Sequence, residues 1–321
     1  MRAVVADRAG TPEVLRLVVL PDPEPESGQV RVAVEAAAIT FVDTLIRAGS
    51  TVGPPATFPV VLGNGVGGVI DRVGRDVDPA WIGSRVVTTT GGTGGYASFA
   101  LARTTDLHRL PGRLGLRDAT ALLADGRTAV GLHRAADIQP GEVVVITAAA
   151  GGVGSLLVQL ATASGARVIA LAGSQVKLDH ARGLGADDAV SYRDQGWAAR
   201  IRATMPGGVD VVFDGIGGET TTALFPLVRH GGRYLPHGAA GGSWGTIDSA
   251  AAAERGVTVI PLAAIGADSG DLFALTEGAL ELAAEGSIRP TIGQTFPLGQ
   301  AAAAHAAIES RTTIGKTLLL P

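Results

Sequence analysis

Residues 143–177, VVVITAAAGGVGSLLVQLATASGARVIALAGSQVK, constrain the fold more than any other stretch of the chain. The run 143–147 is short and β-branched, and reads as a buried strand. A turn of small residues follows at 148–154, then a helix to about 164 and a second buried strand at 167–172. This is the first half of a dinucleotide-binding unit. Ala150, Gly151, Gly152 and Val153 let backbone approach a pyrophosphate, whose charge faces N–H groups and the start of a helix. Gly154 lets that helix pack close to the strand. The usual Gly-x-Gly-x-x-Gly spacing is kept except that Ala149 stands at its first position.

An acidic residue normally ends the second strand of an NAD site, where it bonds the ribose hydroxyls and repels a 2′-phosphate. Here that place is taken by Gly173, Ser174 and, one helical turn on, Lys177. A hydroxyl and a lysine make room and positive charge for the phosphate, so the expected coenzyme is NADPH. The competing reading makes Ser174 a helix cap and Lys177 a solvated surface charge.

After residue 172 helices and strands alternate: helices near 175–184, 197–204 and 220–228, and strands near 189–191, 209–213, 233–236 and 257–260. Such alternation predicts a doubly wound parallel sheet, in the order 3-2-1-4-5-6. The first hundred residues differ. Short β-rich runs at 2–6, 15–19, 29–35, 60–73, 85–90 and 96–100 are separated by loops and broken by glycine, with one short helix at 41–46 ending at Gly49. The segment 62–68, LGNGVGG, is no nucleotide loop, because strand rather than helix follows it; its glycines suit a curved wall or a close backbone approach. A helix at 116–136 leads into the parallel sheet, and a helix near 270–285, strand 294–297, helix 300–310 and strand 316–320 follow it. The expected division is 1–118 with 262–321, and 119–261.

Composition narrows the function classes. A net charge of −4 offers no basic surface for nucleic acid or anionic membrane. No apolar run reaches the roughly eighteen residues needed to span a bilayer, and the start MRAVVADRAG shows no signal peptide, so a cytoplasmic location is expected. There is no cysteine, and none of the six histidines has the spacing of a helical metal pair, so no metal site is expected.

Several segments together resemble the zinc-free branch of the medium-chain dehydrogenase/reductase superfamily, specifically NADPH:quinone oxidoreductases of the zeta-crystallin type. They are 34–49 (VEAAAITFVDTLIRAG), 126–129 (GRTA), 148–154 (AAAGGVG), 184–187 (LGAD), 191–193 (SYR), 210–214 (DVVFD), 309–311 (ESR) and 315–316 (GK). The resemblance implies an α/β chain with a GroES-like β-barrel catalytic domain built from both termini and a Rossmann domain inserted between them. It implies substrate binding between the two, and a homodimer. It also implies cofactor contacts from Thr128, Gly173, Ser174, Lys177, Tyr192, Gly215, His237, Gly238 and Arg311. Tyr192 has a second reading as a strand-end aromatic packed on the sheet, His237 as a loop histidine facing water, and Arg311 as an exposed helix-end arginine.

Departures concentrate at the substrate end. Family members often carry asparagine where this chain has Thr40, tyrosine where it has Leu45, and Gly-Thr-Glu where it has Gly63-Asn64-Gly65. The expected chemistry is hydride transfer to a quinone or other conjugated carbonyl compound, a small-molecule substrate. Thr40 is the hydrogen-bond donor, supported by Asn64 and by His237, with Asp43 orienting Thr40, or else serving helix N-terminal electrostatics or an internal salt bridge with Arg47. Two alternatives stay open: an enoyl reductase acting on a biosynthetic enoyl thioester or enone, and an NADPH-binding protein without turnover.

Overall fold

β-Branched residues, interrupted by glycine and proline, break the N-terminal third into short strands. In the computed structural model, which describes residues 1–266 and 269–321, these are β1 (Arg2–Ala6), β2 (Leu15–Val19), β3 (Gln29–Ile39), β4 (Val60–Val61), β5 (Gly65–Val73), β6 (Arg85–Thr89), β7 (Phe99–Arg103) and β8 (Leu107–Arg109), with one helix among them, α1 (Phe41–Ala48). Gly49 closes α1 in the left-handed conformation, with φ of 66°. Helix α2 (Leu116–Ala136) follows. Then come β9 (Val143–Ile146), α3 (Gly152–Ala163), β10 (Arg167–Ala172), α4 (Gln175–Gly183), β11 (Asp188–Ser191), α5 (Trp197–Thr204), β12 (Val209–Asp214), α6 (Glu219–Leu224), β13 (Val228–Pro236), α7 (Ser249–Glu254) and β14 (Thr258–Val259). The chain ends with α8 (Ser269–Ala284), β15 (Ile292–Pro297), α9 (Ala301–Glu309) and β16 (Lys316–Leu320).

Contacts divide the chain into Met1–Gly126 with Thr276–Pro321, and Arg127–Leu275. These limits fall inside α2 and α8, whereas the sequence pattern alone puts them at 118/119 and 261/262.

The first unit holds a three-stranded sheet, β2-β1-β4, and a seven-stranded sheet ordered β15-β16-β3-β5-β6-β8, with β7 also on β3. The C-terminal strand β16 runs antiparallel to the end of β3, pairing Thr317 with Ile39. Val4, Ala6, Leu62, Val66, Tyr96, Ala304 and Leu319 share one core. The glycines of 62–68 serve close packing. A Cβ on Gly67 would lie 2.0 Å from Thr120 Oγ1 of α2, and one on Gly68 would lie 2.0 Å from the Ala33 carbonyl oxygen.

The second unit is a parallel sheet ordered β11-β10-β9-β12-β13-β14, the order 3-2-1-4-5-6 expected. Its valine- and isoleucine-rich central strands are almost wholly buried, as a sheet covered on both faces requires.

Some elements differ from expectation. The strand placed at 96–100 starts only at Phe99, because Tyr96 turns inward and is fully buried beside Gly63, leaving Ala97 a single bridge to Ala3. The helix placed at 220–228 stops at Leu224, where Pro226 tightens the chain into a 3-10 turn. Helix α7, capped by the Asp248 side chain, and strand β8 are too short to carry a periodic signal.

Candidate functional site

Within the second unit, four loops follow the C-terminal ends of β9, β10, β12 and β13, the last two forming a pair, around the point where the strand order reverses. The first leaves β9 through Ala148, held at φ 47°, and reaches α3 with Gly151 as its N-cap. Ala149 and Ala150 are buried, and the Ala149 N–H bonds the Leu171 carbonyl of β10 at 3.1 Å. Position 149 therefore joins the sheet, and a methyl group fits there. A Cβ on Gly154 would lie 2.3 Å from the Ala148 carbonyl oxygen, so residue 154 has to be glycine for the helix to seat on the turn. The N–H groups of Gly152, Val153 and Gly154 begin α3 without intrahelical acceptors, and no acidic residue occupies its first turn. This cradle fits a pyrophosphate.

The second loop leaves β10 at Gly173. Ser174 is the N-cap of α4, yet its hydroxyl makes no capping bond and is exposed. The capping reading of Ser174 therefore does not hold. A Cβ on Gly173 would lie 2.7 Å from the Tyr192 hydroxyl and 3.2 Å from Arg193 Nε. Tyr192 and Arg193 thus come over the end of β10 from the neighbouring β11, at the residue that precedes Ser174, with Lys177 in the first turn of α4. No acidic residue stands in the first turn of α4. Two hydroxyls and two cations suit a phosphate monoester. Arg193 is a residue that sequence reasoning missed; its one signal was adjacency to Tyr192.

The remaining loop pair is held by Asp214, fully buried at the end of β12. Its Oδ1 accepts from Thr147 Oγ1 at 3.0 Å and from the N–H groups of Ile216 and Gly217 at 3.0 and 3.1 Å. Its Oδ2 accepts from the hydroxyls of Thr221 at 2.5 Å and Tyr234 at 2.7 Å. Burial, reinforced by the Asp214 charge and hydrogen bond, keeps the Tyr234 phenol protonated far above its ordinary range. The Gly215 N–H bonds Thr147 Oγ1 at 2.8 Å, and a Cβ on Gly238 would meet the Gly215 carbonyl oxygen at 2.5 Å. Against this glycine pair lies His237, whose Cε1 is 2.8 Å from where a Gly215 Cβ would be. Among the described residues His237 Nε2 is buried without a hydrogen-bond partner, so this nitrogen does not face water as the loop-histidine reading has it. Burial pulls its pKa down to about 4, against the opposing pull of Asp214 and its own backbone, so the ring is neutral at pH 7. Thr128 is half-buried on α2.

In the first unit, Thr40 is the N-cap of α1 and forms a capping box with Asp43. Asp43 Oδ2 accepts from the Thr40 N–H at 2.7 Å and from the Thr40 hydroxyl at 2.8 Å, while Thr40 Oγ1 accepts from the Asp43 N–H at 3.4 Å. These bonds fit both readings of Asp43, as the residue that orients Thr40 and as a helix N-terminal acid. The pairing of Asp43 with Arg47 does not form: Arg47 binds the Gly10 carbonyl at 2.6 Å and the Glu309 carboxylate. Burial raises the Asp43 carboxyl above its usual range, against the hydrogen bonds from Thr40 and the Gly63 backbone and the charge of Lys316. Asn64 is occupied elsewhere. Its Oδ1 accepts from the N–H groups of Thr90 at 3.2 Å and Gly92 at 2.6 Å, pinning that loop, and no hydrogen bond joins it to Thr40 among the described residues. Arg311 is exposed at φ 58° in the turn after α9.

Among the described residues, no group of three or more His, Asp or Glu side chains is placed to hold a metal ion, and no helix is long and apolar enough to cross a membrane.

Residues 26–112 match the alcohol dehydrogenase GroES-like domain family, and residues 184–319 match the family described as zinc-binding dehydrogenase. The chain is 34% identical to a 2-haloacrylate reductase of a Burkholderia species, over 92% of each chain. It is 33% identical to the quinone oxidoreductase of Mus musculus, over 100% of this chain and 98% of that one. Among solved structures, Escherichia coli quinone oxidoreductase complexed with NADPH superposes with a TM-score of 0.92 at 29% identity, covering 100% of both chains.

Proposed function

Because the chain belongs to the medium-chain dehydrogenase/reductase superfamily, among the quinone oxidoreductases, we propose that it reduces a conjugated carbonyl compound, quinones first, with NADPH and without zinc. The observation that carries the coenzyme is the corner at Gly173, where Tyr192 and Arg193 meet the chain just before Ser174 and the first turn of α4, which holds Lys177, and where no carboxylate ends β10. When bound, NADPH supplies a hydride from its nicotinamide ring. The chain binds and orients it. Ala150, Gly151, Gly152, Val153 and Gly154 take the pyrophosphate on the first turn of α3, and the Gly173 corner takes the 2′-phosphate. Gly215, His237 and Gly238 take the nicotinamide end, with Thr128 and Arg311 as further contacts.

The acceptor class is supported by chemistry shared between two relatives. A quinone and a 2-haloacrylate both have a C=C bond conjugated to a carbonyl carbon, and hydride addition to either puts negative charge on oxygen. Thr40 is the group assigned to that oxygen. Zinc independence is supported by the donor set: there is no cysteine, and three histidines have separate partners, His108 with Glu277, His133 with Ser164 and His305 with Tyr96. Dialysis against a chelator is expected to leave the rate unchanged. An enoyl reductase is the second reading, favoured by the apolar Leu45 and by Asn64 being tied to the 90–92 loop.

NADPH oxidation should be followed with a quinone, a 2-haloacrylate, a simple enone and an enoyl thioester. A quinone rate above the others supports the first reading. An enoyl-thioester preference moves the assignment to the second, and NADPH binding with no turnover on any acceptor overturns both. Lys177→Glu should lower the NADPH/NADH ratio of kcat/KM by roughly 10–100-fold, the loss of one charge-assisted phosphate contact. An unchanged ratio refutes the 2′-phosphate assignment.

A further inference from the structure

Thr40 has a single hydroxyl hydrogen, and the capping box uses it: Oγ1 donates to Asp43 Oδ2 at 2.8 Å and accepts from the Asp43 N–H. While Asp43 is a carboxylate, Thr40 turns only a lone pair outward, which repels an oxyanion. Protonation at Oδ2 reverses the bond. The carboxyl then donates to Thr40 Oγ1, still accepts the Thr40 N–H, and leaves the Thr40 hydrogen free.

The surroundings make that reversal accessible. A capping-box acid ordinarily lies at the surface, but Asp43 is 3% exposed. Behind it Tyr96 is fully buried, and that burial, with the nearby Asp43 charge, keeps its hydroxyl protonated far above its ordinary range. Tyr96 Oη in turn lies 3.1 Å from His305 Nε2, with the two rings edge to face. The charges around it are already paired. Lys316 of β16 binds Asp125 of α2 at 2.9 Å, and Arg47 of α1 binds Glu309 of α9. His305 of α9 is neutral, because burial and the nearby Arg47 lower its pKa to about 3. Among the described residues both cations, Lys316 and Arg47, are paired with carboxylates, and burial outweighs the pull of Lys316 in raising the Asp43 pKa.

We infer that Asp43 is a positioning and proton-holding residue for Thr40: only its protonated form, held in the buried capping box, lets the Thr40 hydroxyl donate to the acceptor oxygen. This rests on the reading of Thr40 as the group that meets that oxygen. The balance is complete. Hydride from NADPH forms a C–H bond on the acceptor and leaves NADP⁺. The acceptor oxygen takes the Thr40 proton, Thr40 Oγ1 takes the Asp43 proton, and the carboxylate is reprotonated by water before the next turnover.

The test is kcat/KM against pH with a quinone that has no ionisable group. For the wild-type protein it should fall about tenfold per pH unit on the high-pH side of a break set by Asp43. In Asp43→Asn the side chain at this position no longer titrates, so the alkaline limb should vanish whether its oxygen or its amide group faces Thr40. Tyr96→Phe replaces a buried polar hydroxyl near the carboxylate with an apolar edge, which disfavours the charged form, and should move the limb to higher pH. A purely structural role for these residues would lower the melting temperature without moving the limb. A wild-type profile with no alkaline limb overturns the inference, as does a limb unchanged in Asp43→Asn. Should Asp43→Asn not fold, Tyr96→Phe decides by the same criterion. Thr40→Val separates the two levels. Unchanged kcat/KM there refutes the role of Thr40 itself, whereas a loss there with an unmoved limb in Asp43→Asn refutes only the role of Asp43.

Discussion

Ala148 holds a left-handed φ of 47° that a side chain disfavours, and Gly154, six residues on, is pressed against its carbonyl. These two positions predict opposite responses to exchanging alanine and glycine. Ala148→Gly should stabilise the protein by about 0.5–1 kcal/mol, since the relief of a strained αL residue outweighs the added freedom of the unfolded chain. Gly154→Ala should destabilise it by about 1–3 kcal/mol and weaken NADPH binding, since either the turn or the helix start must shift. Urea unfolding and coenzyme fluorescence read both. Gly154 was legible in the sequence because the glycine spacing is local. Arg193 was not, because it reaches Gly173 only through the pairing of β11 with β10.

At the scale of elements, the Asp214 carboxylate ties β9, β12, β13 and α6 together through Thr147, Tyr234 and Thr221. Asp214→Ala leaves these buried hydroxyls and two backbone N–H groups without their acceptor. It should cost on the order of 3–5 kcal/mol in urea unfolding. Since Gly215 is held by the same Thr147, NADPH affinity should fall with it. The sheet order and helix α2 were readable from periodicity, because long amphipathic and β-branched runs announce themselves locally. Tyr96 reads as strand from its neighbours, but the space left by Gly63 draws it into the core. Asn64 reads as a site residue, but the 90–92 backbone claims its oxygen. Packing partners distant in sequence decided both.

At the scale of the whole molecule, each unit contains a histidine that folding keeps neutral: His305 in the first, with pKa near 3, and His237 in the second, near 4. Their ordinary value is 6.5. Above that pH neither the folded nor the unfolded chain holds the proton, so the two residues add no pH dependence. Below it the unfolded chain takes protons that the folded chain refuses, at a cost of roughly 1.4 kcal/mol per histidine per pH unit until the folded values are reached. Asp43, with its raised pKa, works in the other direction but is one group against two. The melting temperature should therefore fall steeply from pH 6.5 to 4, and His305→Gln should flatten the fall. A melting temperature independent of pH over this range would contradict both assignments.

The tyrosines carry a practical consequence. The chain has only three, and each stands at a different working part: Tyr96 behind Asp43, Tyr192 over Gly173, and Tyr234 on Asp214. Fluorotyrosine incorporated throughout would therefore give three fluorine resonances and no background. One would report the proton state beside Thr40, one the arrival of the coenzyme phosphate, and one the integrity of the strand ends that hold the nicotinamide loop. A single labelled sample would thus distinguish a variant that has lost its coenzyme from one that has lost its proton source or its fold.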